Sequence, residues 1–247
     1  MVVYLHSEGS TLAVPDDHLM VGMDETGHEL LADREYPVFG LGGCAVPAAL
    51  YPDRIALPWR EMKRRHFGSS DTPLHAAELR EPTPEQLQAL GDFFRQNEFG
   101  RYAIVVTDKT VIQPEVPPLD IVAAGVIQKV ARYIESYSCE GAVLVAESSE
   151  RADTLTAAAF RDFRIQITTP EKKTFEVPVE KRRMDKAAAE PLVEVSDFIV
   201  HTAGGQVRAH TQGKPFGSRK DFQAVFESVP EPLRHFIHIE RADIQRP

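Results

Sequence analysis

GAVLVAES, residues 141–148, is a run of small and apolar residues that stops at a carboxylate and a hydroxyl. A run this short, unbroken in apolar character, reads as a central strand buried on both faces. Its flanks agree. PLDIVAAGVIQKVARYIESYS (118–138) predicts the longest helix, with Ile121, Ala124, Ile127, Val130 or Ala131, and Ile134 as its apolar stripe. SERADTLTAAAFRDF (149–163) predicts another. A buried strand between two helices implies an α/β protein with helices on both faces of its sheet.

Working outward, LMVGMD (19–24) and YPVFGLGGCAV (36–46) read as two strands of an opening antiparallel hairpin, and RYAIVVTD (101–108) as a third. Between them, residues 48–100 look like a helical insertion. PWREMKRRH (58–66) starts with a proline suited to a first helical turn. In TPEQLQALGDFFRQN (83–97) Thr83 can cap, Pro84 opens, and Leu87, Leu90, Phe93 and Phe94 share a face. IQITTPEKKTFEVPV (165–179) predicts one or two short edge strands. AAAEPLVEVSDFIVHTAGGQVR (187–208) predicts a helix ending near Gly204-Gly205. The C-terminal extension, 209–247, holds a further helix around 219–228. No composition shift divides the chain, so 1–247 is expected to be a single domain with a mixed sheet.

Apolar residues at 43% and charged residues at 26% suit an ordinary globular protein. No apolar run approaches the ~20 residues that cross a bilayer. The opening MVVYLHSEGSTLAVPDD has no basic start, apolar middle or small-residue cleavage site, so it does not read as a signal peptide. Cys44 and Cys139 sit in apolar contexts, as reduced cysteines of a cytoplasmic protein do. A net charge of −9 argues against a protein that coats DNA. It leaves room for an enzyme that meets phosphate through cations. Basic residues cluster locally, from Lys63 to His66 and from Lys181 to Arg183, as solvated faces or as phosphate contacts.

The carboxylates carry the chemistry. VGMDETGHE (21–29) places Asp24 and Glu25 where an apolar strand stops at a Thr-Gly turn. Glu147 ends the best strand in the chain, and ligands of open α/β sheets collect outside the carboxyl ends of strands. Asp197 lies within PLVEVSDFIV, where a buried carboxylate needs a pair, hydrogen bonds or a metal. His75 and Glu78, three apart in LHAAELR, would share a helix face and could ligate a cation or move protons. Mg²⁺ or Mn²⁺ prefers such oxygen ligands, and ions of this kind assist phosphodiester cleavage. No second Glu-x-x-His element accompanies His75 and Glu78, which speaks against a bundle-type redox centre.

At these residues the chain resembles the bacterial family called domain of unknown function 3800, placed with the ribonuclease-H-like folds. The likeness rests on DETG (24–27), FGLGG (39–43), LHAAEL (74–79), LVAES (144–148), MDKAAAEPL (184–192) and VSDFI (195–199), in order over nearly the whole chain. It departs where Thr26 replaces Ser, where Glu147 stands for the usual Asp, and where Ser196 and Phe198 flank Asp197 in place of Ala and Leu. The resemblance implies a ribonuclease-H-like sheet with Asp24, Glu147 and Asp197 close together and His75 or Glu78 beside them. By analogy it implies a metal-dependent nuclease, with Asp24, Glu147 and Asp197 holding Mg²⁺ or Mn²⁺. Glu78 or Glu25 would add a ligand or orient water, and His75 would serve proton transfer or product release. Lys181, Arg182, Arg183 and Lys186 would contact the phosphates of a nucleic acid. The alternative is a non-catalytic binding or regulatory protein of the same fold, whose carboxylates make structural bonds. The sequence separates neither DNA from RNA nor one oligomeric state from another.

Overall fold

The computed structural model describes residues 2–7, 10–33, 35, 37–108, 116–160, 165–168 and 174–213. Its centre is a five-stranded mixed sheet. Strands β3 (His18–Gly27), β4 (Val38–Pro47) and β5 (Gly100–Thr107) form an antiparallel meander. Strands β6 (Gly141–Glu147) and β9 (Val179–Met184) then continue the sheet parallel to β3, giving the order β5-β4-β3-β6-β9. β6 is interior and buried along its length until Glu147, as its unbroken apolar run requires.

Helices cover both faces, because alternate strand residues feed two cores. On one face Leu19, Val21, Met23 and Leu144 meet helix α3 (Pro118–Tyr137). On the other, Met20, Cys44, Val143 and Val145 meet helices α1 (Leu57–His66), α2 (Pro84–Gln96) and α5 (Pro191–Thr211). α2 begins as expected. Thr83 Oγ1 accepts from Gln86 N at 3.3 Å, and Gln86 Oε1 accepts from Thr83 N at 2.9 Å, a reciprocal cap.

Four expectations need correction. The chain opens with a hairpin that the reading of residues 1–17 missed, β1 (Val2–Ser7) against β2 (Ser10–Pro15). Its signal is period-two burial, with Val3 and Leu5 inside and Val2 and Tyr4 outside. α3 buries the row Val122, Val126, Val130 and Ile134, whereas Ala124 is exposed, because apolar residues span a wide arc of this helix and the sheet selects only part of it. Residues 165–179, expected to give one or two short edge strands, instead give β7 (Ile165–Thr168) and β8 (Thr174–Val177), which pair with each other in a separate sheet, while Val179 already opens β9 of the main sheet. Finally, α5 does not stop at Gly204-Gly205 but runs on to Thr211, with Gly213 left-handed just beyond it. Gly204 is there for packing: an added Cβ would stand 2.4 Å from Thr26 Oγ1. The helix 149–163 is seen as α4 (Glu150–Ala159). The helix expected around 219–228 lies outside the described residues.

Candidate active site

The site begins with sheet register. β3 and β6 run parallel, and their last paired residues are Met23 and Ala146. Asp24 and Glu147 come next, so the two carboxylates emerge side by side at the carboxyl ends of neighbouring strands. Alternation puts both on the face of Gly22 and Val145, the face α5 crosses. α5 is held unusually close there. Ser196 Oγ donates to Leu192 O at 2.7 Å and accepts from Cys44 N at 3.3 Å. A Cβ at Gly22 would lie 2.4 Å from that same Oγ. This contact sets the height of the next residue, Asp197, over the strand ends.

A loop closes the fourth side. Asp197 Oδ2 accepts from Ala76 N at 2.8 Å, and one turn earlier on α5, Glu194 Oε1 accepts from Leu74 N at 2.6 Å. His75 is therefore flanked on both sides by amides fixed to α5. Its Nδ1 lies 3.6 Å from Asp197 Oδ2 and 4.0 Å from Glu147 Oε2. Its Nε2 is buried and has no hydrogen-bond partner among the described residues.

The electrostatics follow from crowding. Burial, then the charges of Asp197, Glu25 and Glu147, hold the Asp24 carboxyl well above the usual carboxylate range, although Glu25 N donates to its Oδ1 at 2.8 Å. Burial also raises Glu147, while His75 and Lys186 oppose the rise. His75 is raised chiefly by Asp197, which favours imidazolium. The result is several carboxylates facing an incomplete set of positive charges. Oxygen donors of this kind, relieved of mutual repulsion by a cation, suit Mg²⁺ or Mn²⁺ by chemistry. As the side chains stand, no group of three or more His, Cys, Asp and Glu among the described residues is arranged to hold a metal ion.

The remaining candidates scatter. Residues 75–78 form a single turn and not a helix, His75 being largely buried and Glu78 exposed. Glu78 is bonded to Lys186 Nζ at 2.8 Å, whose hydrogen bond, then its charge, lowers the Glu78 carboxyl. Lys186 stays at the rim, where Glu78 first, then Glu147 and Asp197, raise it. Lys181 and Arg183 point toward α4: Lys181 Nζ donates to Phe160 O, and Arg183 pairs with Asp153. Arg182 is half-buried on the intervening position of β9. Of the 63–66 cluster, Arg64 and Arg65 pair with Glu61 on the surface. Lys63 is not a surface charge at all.

Lys63 belongs to a group that sequence reasoning missed. Its Nζ donates to both oxygens of Glu194, at 2.8 and 2.9 Å, and Trp59 Nε1 donates to Glu194 Oε2 at 2.6 Å. Both ionic side chains are almost fully buried, 1% and 3% exposed. Nearby, Tyr51 OH donates to buried Glu190. The signal was available, since Glu194 lies in the same apolar stretch as Asp197 and obeys the same requirement for a partner.

No family model matches the chain, and no curated protein matches it. The site itself narrows the chemistry. Burial pushes the Cys44 thiol up to about 12, which makes it an inert neighbour of Ser196 and not a nucleophile. What the arrangement offers is acid–base chemistry by carboxylates and imidazole, and room for cationic charge. Among the described residues no helix is long and apolar enough to cross a membrane.

Proposed function

We propose that the chain is a divalent-metal-dependent phosphodiesterase acting on nucleic acid, built on a ribonuclease-H-like fold and working in the bacterial cytoplasm. The observation that carries the proposal is the meeting of Asp24 and Glu147, side by side at parallel strand ends, with Asp197 held over them by α5. An antiparallel meander continued by parallel strands supports the ribonuclease-H-like reading. Asp24, Glu147 and Asp197 would hold Mg²⁺ or Mn²⁺, which supplies Lewis acidity toward the phosphodiester when bound. His75 holds a proton at Nδ1 between Glu147 and Asp197 and can pass it to a leaving oxygen. Lys186, at the rim, orients a phosphate in exchange for Glu78. Lys181, Arg182 and Arg183 lie on β9 and would meet the nucleic acid outside the carboxylate site.

The test is calorimetric titration of Mn²⁺ into the protein and into Asp24→Asn, followed by hydrolysis of single- and double-stranded DNA and RNA. Saturable binding lost in the variant, with metal-dependent cleavage, is expected. No binding to either protein, with and without a nucleic acid present, would overturn the reading. One observation favours the second reading, a non-catalytic binding protein: His75 stands within 4.0 Å of Glu147 and 3.6 Å of Asp197, where its protonated form would offset part of their charge. Nucleic-acid binding without metal dependence would select it.

A further inference from the structure

We infer that Glu194 is a positioning residue: held by Lys63 and Trp59, its carboxylate clamps the 74–76 loop through Leu74 N–H and so aims His75 at Asp197 and Glu147. α5 offers two acceptors one turn apart, Glu194 to the amide before His75 and Asp197 to the amide after it. Asp197 is the weaker anchor, because it is 15% exposed and shares its Oδ2 with the imidazole. Glu194 is almost fully buried and has each of its oxygens doubly engaged: Oε1 by Lys63 and Leu74, Oε2 by Lys63 and Trp59. An arrangement with that many charge-assisted bonds has one geometry. It also ties three separate segments together, since Trp59 and Lys63 come from α1, Leu74 from the loop and Glu194 from α5. The loop between α1 and α2 has no regular structure across 73–75, so this clamp substitutes for one. The clamp stands on geometry alone. Its consequence for turnover rests on the phosphodiesterase reading.

The experiment separates positioning from stability by neutralising the buried pair in two ways. K63M/E194Q removes both charges yet keeps one oxygen acceptor, which Leu74 N–H can take. K63M/E194L removes the acceptor as well. Amide hydrogen exchange at Leu74 and Ala76, and the ring resonances of His75, are read by NMR beside the melting temperature. In K63M/E194Q the amides should remain protected and the His75 signals stay at their wild-type positions. In K63M/E194L the two amides should exchange about tenfold faster or more, and the His75 signals should move. Identical exchange and identical His75 signals in the two variants, once each is shown folded, would overturn the proposal. Should the second variant fail to fold, Leu74→Pro deletes the donor and leaves the buried pair intact. It should reproduce the His75 shift, and wild-type His75 signals there would overturn the proposal equally. Mn²⁺ titration of the same samples keeps the two readings apart, because loss of metal binding in every protein would sink the phosphodiesterase reading while leaving the clamp standing.

Discussion

Glu194 and Asp197 stand three residues apart on one helix, in one apolar stretch, and their surroundings differ in kind. Glu194 is met by an ammonium, an indole N–H and a backbone amide, so the cost of burying its charge is offset locally. Asp197 receives one backbone amide and a half-shared imidazole, and it faces Asp24 and Glu147. A fully bonded carboxylate holds the fold. An under-bonded one beside its own kind is a place where a ligand has something to add.

The largest effect that tests this contrast is Glu194→Ala. It strands Lys63 as a buried unpaired cation, and removing one partner of such a pair costs about 3–5 kcal/mol. At about 2–4 °C per kcal/mol for a chain of this size, the melting temperature should fall by more than about 6 °C. Asp197→Ala should lower it far less, because it relieves repulsion as it deletes a bond. Equal falls would erase the distinction between the two carboxylates.

Gly22→Ala comes next and should disturb both together. The added methyl meets Ser196 Oγ at 2.4 Å and the Leu192 carbonyl oxygen at 2.5 Å, so α5 must lift from the sheet. Overpacking of this sort costs about 1–3 kcal/mol. Since Glu194 and Asp197 ride on the same helix, denaturant unfolding should show the loss while the 74–76 amides lose protection as a unit. A stability loss that left those amides unchanged would mean the loop is not carried by α5.

Asp24→Asn should do the reverse and stabilise. The Asp24 carboxyl is raised, so its contribution to stability is present at acid pH and is lost as pH rises through its folded value. His75 acts in the same sense, its support declining above its ordinary value of 6.5 as pH passes its raised one. Asparagine cannot ionise, so the gap in unfolding free energy between variant and wild type should widen as pH rises above the ordinary aspartate value and level off once Asp24 is ionised in the folded protein. A gap that stayed flat with pH would show that Asp24 is compensated after all.

The same contrast marks what the sequence could say. Asp24, Glu147 and Asp197 were legible because each interrupts an apolar run, and strand ends and register then bring the first two together. The central sheet was legible for the same reason, through GAVLVAES and LMVGMD. Glu194 was obscured because its partners are remote, with Lys63 131 positions away inside a run of four basic residues that looked solvated. The 74–79 stretch misled because spacing suggests a helix, whereas the Leu74 and Ala76 amides are taken by Glu194 and Asp197 of α5 and only one turn forms at 75–79. Gly204-Gly205 misled because a glycine pair signals a helix end unless a neighbouring element needs the space, and Thr26 does.

The smallest effect concerns the rim. Glu78→Gln should change stability by no more than about 0.5 kcal/mol, because its pair with Lys186 is exposed on both sides and screened by solvent. Its consequence should lie elsewhere. Freed of its first partner, the Lys186 ammonium remains under the field of Glu147 and Asp197, and it becomes available to a phosphate without first breaking an ion pair. Binding of a short oligonucleotide should then tighten, with a steeper dependence on salt concentration, because one more cation is free to neutralise phosphate. Lys186→Ala should weaken binding and flatten that dependence. If both variants left the salt slope at the wild-type value, Lys186 would be as structural as Lys63, and the rim would join the bonded side of the comparison.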